Sequence, residues 1–361
     1  MPCLRISATA AAFFCCLLVI CLSTACRGDA EYARKTKIDP YYICGSAENM
    51  ENLPSLFPLL EKENSGTDTS RFAAAREISN NYIGQKEYGK LINFLTSMVN
   101  NRPDDPYNTY YLLMIAYALI QQEAYPAAAL YFDIIIKNYP DMTVMGESIH
   151  LACLNQLIML VNDPEQQAWC YEELISRFPD SIDLGVAYFL LGQAYEKTGE
   201  WNGAIRAYNQ YLPHISSIVP GFPNAGIYAK QLVDFDKSYK NWSFESLNSL
   251  VNAIKYALDE GSWRRLEEHR AKVNFFARTW ETQVSDDFGM ADFNLINLMR
   301  GKISYNARID EGSTANEAYL RTWGWQNISV WYMYFRKIYF PADPEIHGRW
   351  EWAGIYYGEK F

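Results

Sequence analysis

Through the middle of the chain apolar residues recur with a helical period, and polar residues fill the remaining faces, the pattern of amphipathic helices. The stretch Tyr188 to Leu212 shows it most clearly. Large residues at Tyr188 and Leu191, a small one at Gly192 and an aromatic at Tyr195 are followed by small Ala204 and aromatic Tyr208. This predicts two antiparallel helices that cannot bury their own apolar faces without a stacked neighbour. Aligning the small residue of successive units gives Ser79, Ala116, Asn155 and Gly192, at intervals of 37, 39 and 37 residues. Pro103, Pro140 and Pro179 each follow a second helix, where a proline stops it.

Four repeats follow, at about 71–104, 107–141, 147–180 and 185–217. Repeat three is the weakest. Asn155 and Gln167 stand there where small residues belong, which predicts looser packing. Asn52 to Lys62 reads as a capping first helix, Ser65 to Ser70 as a loop, and Gly226 to Tyr239 as a closing helix beyond the proline-rich 213–223. The recurrent small residue, aromatic and terminal proline resemble the tetratricopeptide repeat, a unit of about 34 residues. The resemblance implies a helical-hairpin solenoid whose concave groove holds another protein. The implied groove positions are Tyr110, Leu113, Tyr117 and Gln121 in repeat two, Ile149, Gln156 and Met159 in repeat three, and Phe189, Gln193 and Glu196 in repeat four. Tyr and Phe there suit a peptide segment as anchors. The alternative is that insertions between repeats fill the groove. Arg76 and Asn80 occupy two positions of the carboxylate clamp found in some such domains. Met114, Ile149 and Cys153 replace its later polar partners, so no clamp is expected.

Beyond residue 240 the pattern changes. Phe244 to Leu258 is an amphipathic helix and Trp263 to His269 a second; Val273 to Thr279 reads as extended and Asp287 to Met299 as helical. After Gly301 the period falls to 2, and 302–308, 318–325, 330–340 and 350–357 read as strands. The expected fold class is therefore mainly α: a helical-hairpin solenoid at 46–240, then a smaller α+β domain at 241–361 with a curved antiparallel sheet. The order helix, helix, strand, helix, four strands is similar to the cone-shaped fold of the nuclear-transport-factor-two-like superfamily, with residues 250–269 carrying the resemblance over about 244–358. Period 2 puts Tyr332 and Tyr334, and likewise Trp350, Trp352 and Tyr356, on one face. That face lines an aromatic pocket or closes a core on Leu250, Ile254 and Leu298. Arg321, Arg336 and Glu351 are the polar residues in the sheet that would favour a ligand-binding or enzymatic domain.

The N-terminus reads as an address. Arg5 precedes an uncharged apolar run from Ala8 to Leu22, too short for a spanning helix of about 20 residues but suited to a signal-peptide core. Leu22-Ser23-Thr24-Ala25-Cys26 resembles the lipobox of bacterial lipoproteins, although Ser23 holds the place usual for Leu. The resemblance implies a signal peptide at 1–25, lipid on Cys26, a tether at 26–45, and a cell-envelope location facing the periplasm or exterior. An ordinary signal peptide with a free Cys26 thiol is the alternative.

The 361 residues are 49% hydrophobic and 20% charged, ordinary globular material. A net charge of −10 argues against nucleic acid, which needs a basic surface. His150, His214, His269 and His347 show no metal-ligand spacing. No GxSxG, P-loop or dinucleotide fingerprint occurs, so no catalytic residue, metal or cofactor is expected. Cys153 and Cys170 would face each other across one hairpin, paired or as two buried thiols. The expected partner is another envelope protein or peptide segment, with the membrane reached through the lipid. The competing expectation is a ligand-binding or enzymatic C-terminal domain that the repeats only position.

Overall fold

The computed structural model describes residues 38–43, 47–61, 67–280, 294–327 and 329–360. Cys26, the leader and most of the tether lie outside these. The chain divides into two compact units, 1–170 and 171–361. The first holds α1 (Ala47–Leu60), α2 (Thr67–Gly84), α3 (Tyr88–Asn101), α4 (Asn108–Gln121), α5 (Tyr125–Asn138), a short hairpin of β1 (Thr143–Val144) and β2 (Glu147–Ser148), α6 (Ile149–Leu160) and the start of α7 (Pro164–Arg177). From α3 to α6 each helix packs on the next. The expected loop at 65–70 is shorter, because α2 already begins at Thr67.

Burial fixes the register of the repeats. Ile78, Ser79 and Tyr82 are buried on α2, Ile115 and Ala116 on α4, and Cys153, Leu154 and Leu157 on α6. Asn155 is exposed. Leu154 therefore holds the buried position expected of Asn155, and the true intervals are 37, 38 and 38 residues. The physical reason is that an amide in this core would need polar partners, while a leucine needs none. Gln167 is half-buried, and its amide is satisfied by donating to Val161 O at 3.0 Å. Cys153 and Cys170 are buried thiols not joined in a disulfide, and burial pushes the Cys153 thiol up to about 12.

The second unit begins with the fourth hairpin, α8 (Leu184–Thr198) and α9 (Trp201–Tyr211), followed by α10 (Ala225–Lys237) packed on α9. Asp183 caps α8 by accepting from Val186 N at 3.0 Å. Gly199, at φ 82°, ends it in the left-handed conformation that glycine adopts without strain. Next come α11 (Leu247–Asp259), α12 (Trp263–His269), β3 (Phe276–Thr279), α13 (Leu295–Leu298), β4 (Ser304–Tyr305), β5 (Glu317–Trp323), β6 (Val330–Lys337) and β7 (Trp350–Tyr357). Of the helix expected at 287–299, only α13 falls among the described residues. The first expected strand shrinks to Ser304–Tyr305.

The five strands form one sheet that is not closed, in the order β3-β7-β6-β5-β4. Strands β4 to β7 pair antiparallel, as expected of the four strands after Gly301, and β3, expected only as extended, joins the sheet parallel to β7. The register also shifts inside β7. Tyr334 pairs with Gly354 while Phe335 pairs with Trp352, leaving Ala353 as the extra residue of a bulge. A bulge reverses which side chains face which side. Trp350 and Trp352 join the core under α11, with Leu250, Ile254, Trp331, Met333 and Phe335. Tyr356 pairs with Tyr332 and falls with it and Tyr334 on the opposite face. The single aromatic face expected from the alternation is therefore two faces.

Candidate protein-interaction surface

The first helix of each repeat carries the positions that can meet a partner. In the first unit their starts are pinned to the loops between hairpins. Arg71 of α2 pairs with Asp105 at 2.9 Å, with side chains 4% and 1% exposed, and with Asp68 at 2.5 Å. Asn108 of α4 donates to the Arg102 and Pro103 carbonyls at 2.8 and 2.9 Å. Thr109 donates to Pro140 O at 2.9 Å. Asp141 accepts from Ser148 Oγ and His150 N, which fixes the β1–β2 hairpin and the start of α6. These bonds engage none of the outer-face side chains, although Asn108 Oδ1 and the Tyr111 hydroxyl stay buried without a hydrogen bond.

That outer face carries Arg76 and Asn80 on α2, both exposed, and Leu113, Tyr117 and Gln121 on α4. Tyr117 is 38% exposed and Met159 on α6 is 77% exposed. Tyr110 and Ile149, placed in the groove by the sequence pattern, are buried instead. Tyr110 packs edge-on against Phe72 at 5.1 Å. With the register moved by one residue, α6 presents Leu151, Asn155, Ile158 and Met159, all at least partly exposed, while Gln156 is half-buried. The exposed Asn155 is a surface residue that the alignment had assigned to the core.

The fourth hairpin behaves differently. Phe189 is fully buried and packs with Tyr208 and Tyr211 of α9, Phe222 of the proline-rich segment and Tyr228 of α10. Gln193 donates to Tyr208 Oη at 2.7 Å, and the Tyr208 and Tyr228 hydroxyls both donate to Glu196 at 2.8 Å. Burial, and then the Glu196 carboxylate, push both hydroxyls up. Here the chain covers its own groove positions, as in the alternative reading of filled insertions. A cavity of about 290 Å³ remains, walled by Phe189, Gln193, Phe222, Pro223 and Tyr228.

The polar residues of the sheet are paired. Glu351, buried, accepts from Trp242 Nε1 at 2.8 Å and from Arg336 Nε at 2.9 Å. Arg321 pairs with Glu359. Tyr334 donates to Glu317 at 2.7 Å, Tyr332 to Glu359 at 3.2 Å, and Trp280 stacks on Tyr356 at 4.3 Å between ring centroids. Trp352 is fully buried and donates to Gly354 O at 2.9 Å. Neither Trp350 nor Trp352 lines the cavities described in this unit. His347 Nδ1 accepts from the Phe340 amide at 3.2 Å, a turn contact. Among the described residues no group of three or more His, Cys, Asp and Glu is placed to hold a metal. No described helix is long and apolar enough to cross a membrane.

The tetratricopeptide repeat family profile matches residues 110–141 and 186–212, which are repeats two and four. No curated protein and no solved structure matches the chain. Repeats of this family generally bind other proteins or peptides, and the helical hairpins found here have that architecture.

Proposed function

We propose that this protein is a membrane-anchored adaptor of the bacterial cell envelope, which holds another envelope protein or peptide on the first-helix face of repeats two and three. The carrying observation is the exposure of Tyr117 and Met159 on α4 and α6, the first helices of consecutive repeats. Large exposed apolar side chains on a rigid scaffold are the usual anchors of a protein interface. The uncharged run ending at Cys26 supports the lipid anchor and the location outside the cytoplasm. The order of helices and strands from α11 to β7 supports a relation of the C-terminal region to the cone-shaped fold, with the sheet in the role of a second, structural module.

A photo-reactive residue in place of Tyr117 should cross-link one envelope protein in cells, and the same residue in place of Tyr239, 96% exposed in the other unit, should not. Equal cross-linking from both positions, or none from Tyr117, would remove this face from consideration.

A further inference from the structure

A second cavity of about 220 Å³ lies in the unit 171–361, between α10 and the end of the β6–β7 pair. Its walls are the rings of Tyr228, Phe235, Tyr339 and Phe340, and its polar lining includes Glu351, Arg336, Gln231 and Asn274. The Glu351 carboxylate is buried and uses one bond at each oxygen, to Arg336 and Trp242. Only the Nε of Arg336 is bonded to Glu351. The Nη groups, and the side-chain amides of Gln231 and Asn274, hold no hydrogen bond among the described residues. Lys337, the other charged residue of the lining, keeps its ammonium over the Trp350 ring at 5.7 Å.

From this combination we propose that the cavity is a site for a neutral polyhydroxylated ring: one monosaccharide, free or at the end of a glycan. Arg336 and Glu351 neutralise each other, and the one remaining charge of the lining, Lys337, is held over the Trp350 ring, so an ionic ligand finds no unpaired charge at the floor. What remains is a set of donors (Arg336 Nη, the two amides) beside acceptors (Glu351, the amide oxygens) within a small volume. Hydroxyl groups need both at once, since each donates and accepts. Of the aromatic walls, Tyr228 and Tyr339 are exposed and offer apolar ring surface to the carbon–hydrogen faces of such a ring, while Phe235 and Phe340 are buried behind them. The volume is below the roughly 300–1,000 Å³ of drug-sized sites, which suits a single ring. Tyr339, 73% exposed, stands at the mouth and touches Trp201 at 5.9 Å between centroids, so a longer glycan has aromatic surface on which to continue.

The test is isothermal titration of the full chain with D-glucose, D-galactose and N-acetyl-D-glucosamine, with D-glucuronate as the charged comparison, and with maltotriose and triacetylchitotriose as glycan probes. Saturable binding of at least one neutral sugar, and weaker binding of glucuronate, is expected. Tighter binding of a trisaccharide than of its monosaccharide identifies a glycan end, and equal binding identifies a free sugar. The double variant Gln231→Ala/Tyr339→Ala removes two exposed groups that hold nothing in the core. It should bind at least about tenfold more weakly, the loss expected for a hydrogen bond and an aromatic contact together, with an unchanged Tm. Saturation by none of the neutral sugars, preference for glucuronate, or undiminished binding by the double variant would overturn the assignment.

Discussion

Gly192→Ala probes the packing that defines the repeats. A Cβ on Gly192 would lie 2.6 to 2.9 Å from three atoms of the Tyr208 ring, inside any real carbon–carbon contact. The ring cannot simply withdraw, because it is fully buried and its hydroxyl is held by Gln193 at 2.7 Å and Glu196 at 2.8 Å. Overpacking costs about 1–3 kcal/mol, and three contacts under 3.0 Å to a held ring put this one in the upper part, about 2–3 kcal/mol. Alanine recovers about 1 kcal/mol in the helix interior relative to glycine. The net expectation is a loss of about 1–2 kcal/mol, which lowers Tm by about 2–8 °C for a unit of this size. Tyr208→Phe removes both hydroxyl bonds and lets the ring shift, so the added cost of Gly192→Ala should shrink in that background, a coupling that a double-mutant cycle reads directly. Asn155→Ala, at the position first aligned with Gly192 but exposed, should stay within about 0.5 kcal/mol. An unchanged or raised Tm for Gly192→Ala would refute this packing, and a large loss for Asn155→Ala would refute the register.

Other outcomes follow from single contacts. Arg71→Met leaves the buried Asp105 carboxylate without its cation and should cost about 3–5 kcal/mol; a shift of the urea midpoint worth less than about 1 kcal/mol would show the pair to be dispensable. The Asp183 carboxyl is held below the usual carboxylate range by the Ser217 hydroxyl and then by the Val186 amide. A depressed folded value means that its contribution is complete above about pH 4 and disappears as pH falls through the lower folded value. The Tm gap between the wild type and Asp183→Ala should therefore be constant near neutrality and close in acid; a gap that widens in acid would reverse the sign. Labelled palmitate should enter the wild-type protein and not Cys26→Ala, which should also leave the detergent phase; labelling of both proteins would place any lipid elsewhere.

The helical hairpins were legible because apolar burial and a close-packed small residue recur at nearly fixed spacing. Gly192 and Ala116 carry that signal plainly, and the family match covers their two repeats. Repeat three was misread by one residue because Leu154 is not small, so only its burial reveals its place. Period 2 identified the long strands. It could not show that Ala353 interrupts β7 and turns Tyr356 away from Trp352, because a bulge leaves no mark in composition. Nor does periodicity set strand direction, and β3 joined the sheet parallel to β7. At the candidate surface, position along the helix correctly gave the exposure of Tyr117 and Met159. It could not give the burial of Phe189, also named as a groove position, since its cover comes from Phe222 and Tyr228, which lie beyond its own repeat.

The most direct test of the adaptor reading is the affinity of the partner cross-linked from position 117, measured by titration calorimetry against the wild type and Tyr117→Ala/Met159→Ala. Both side chains are exposed, so far-UV circular dichroism and Tm should not change. Removing two central anchors should cost about 2 kcal/mol or more, roughly a thirtyfold rise in Kd. A folded double variant that binds the partner as tightly as the wild type would contradict the account.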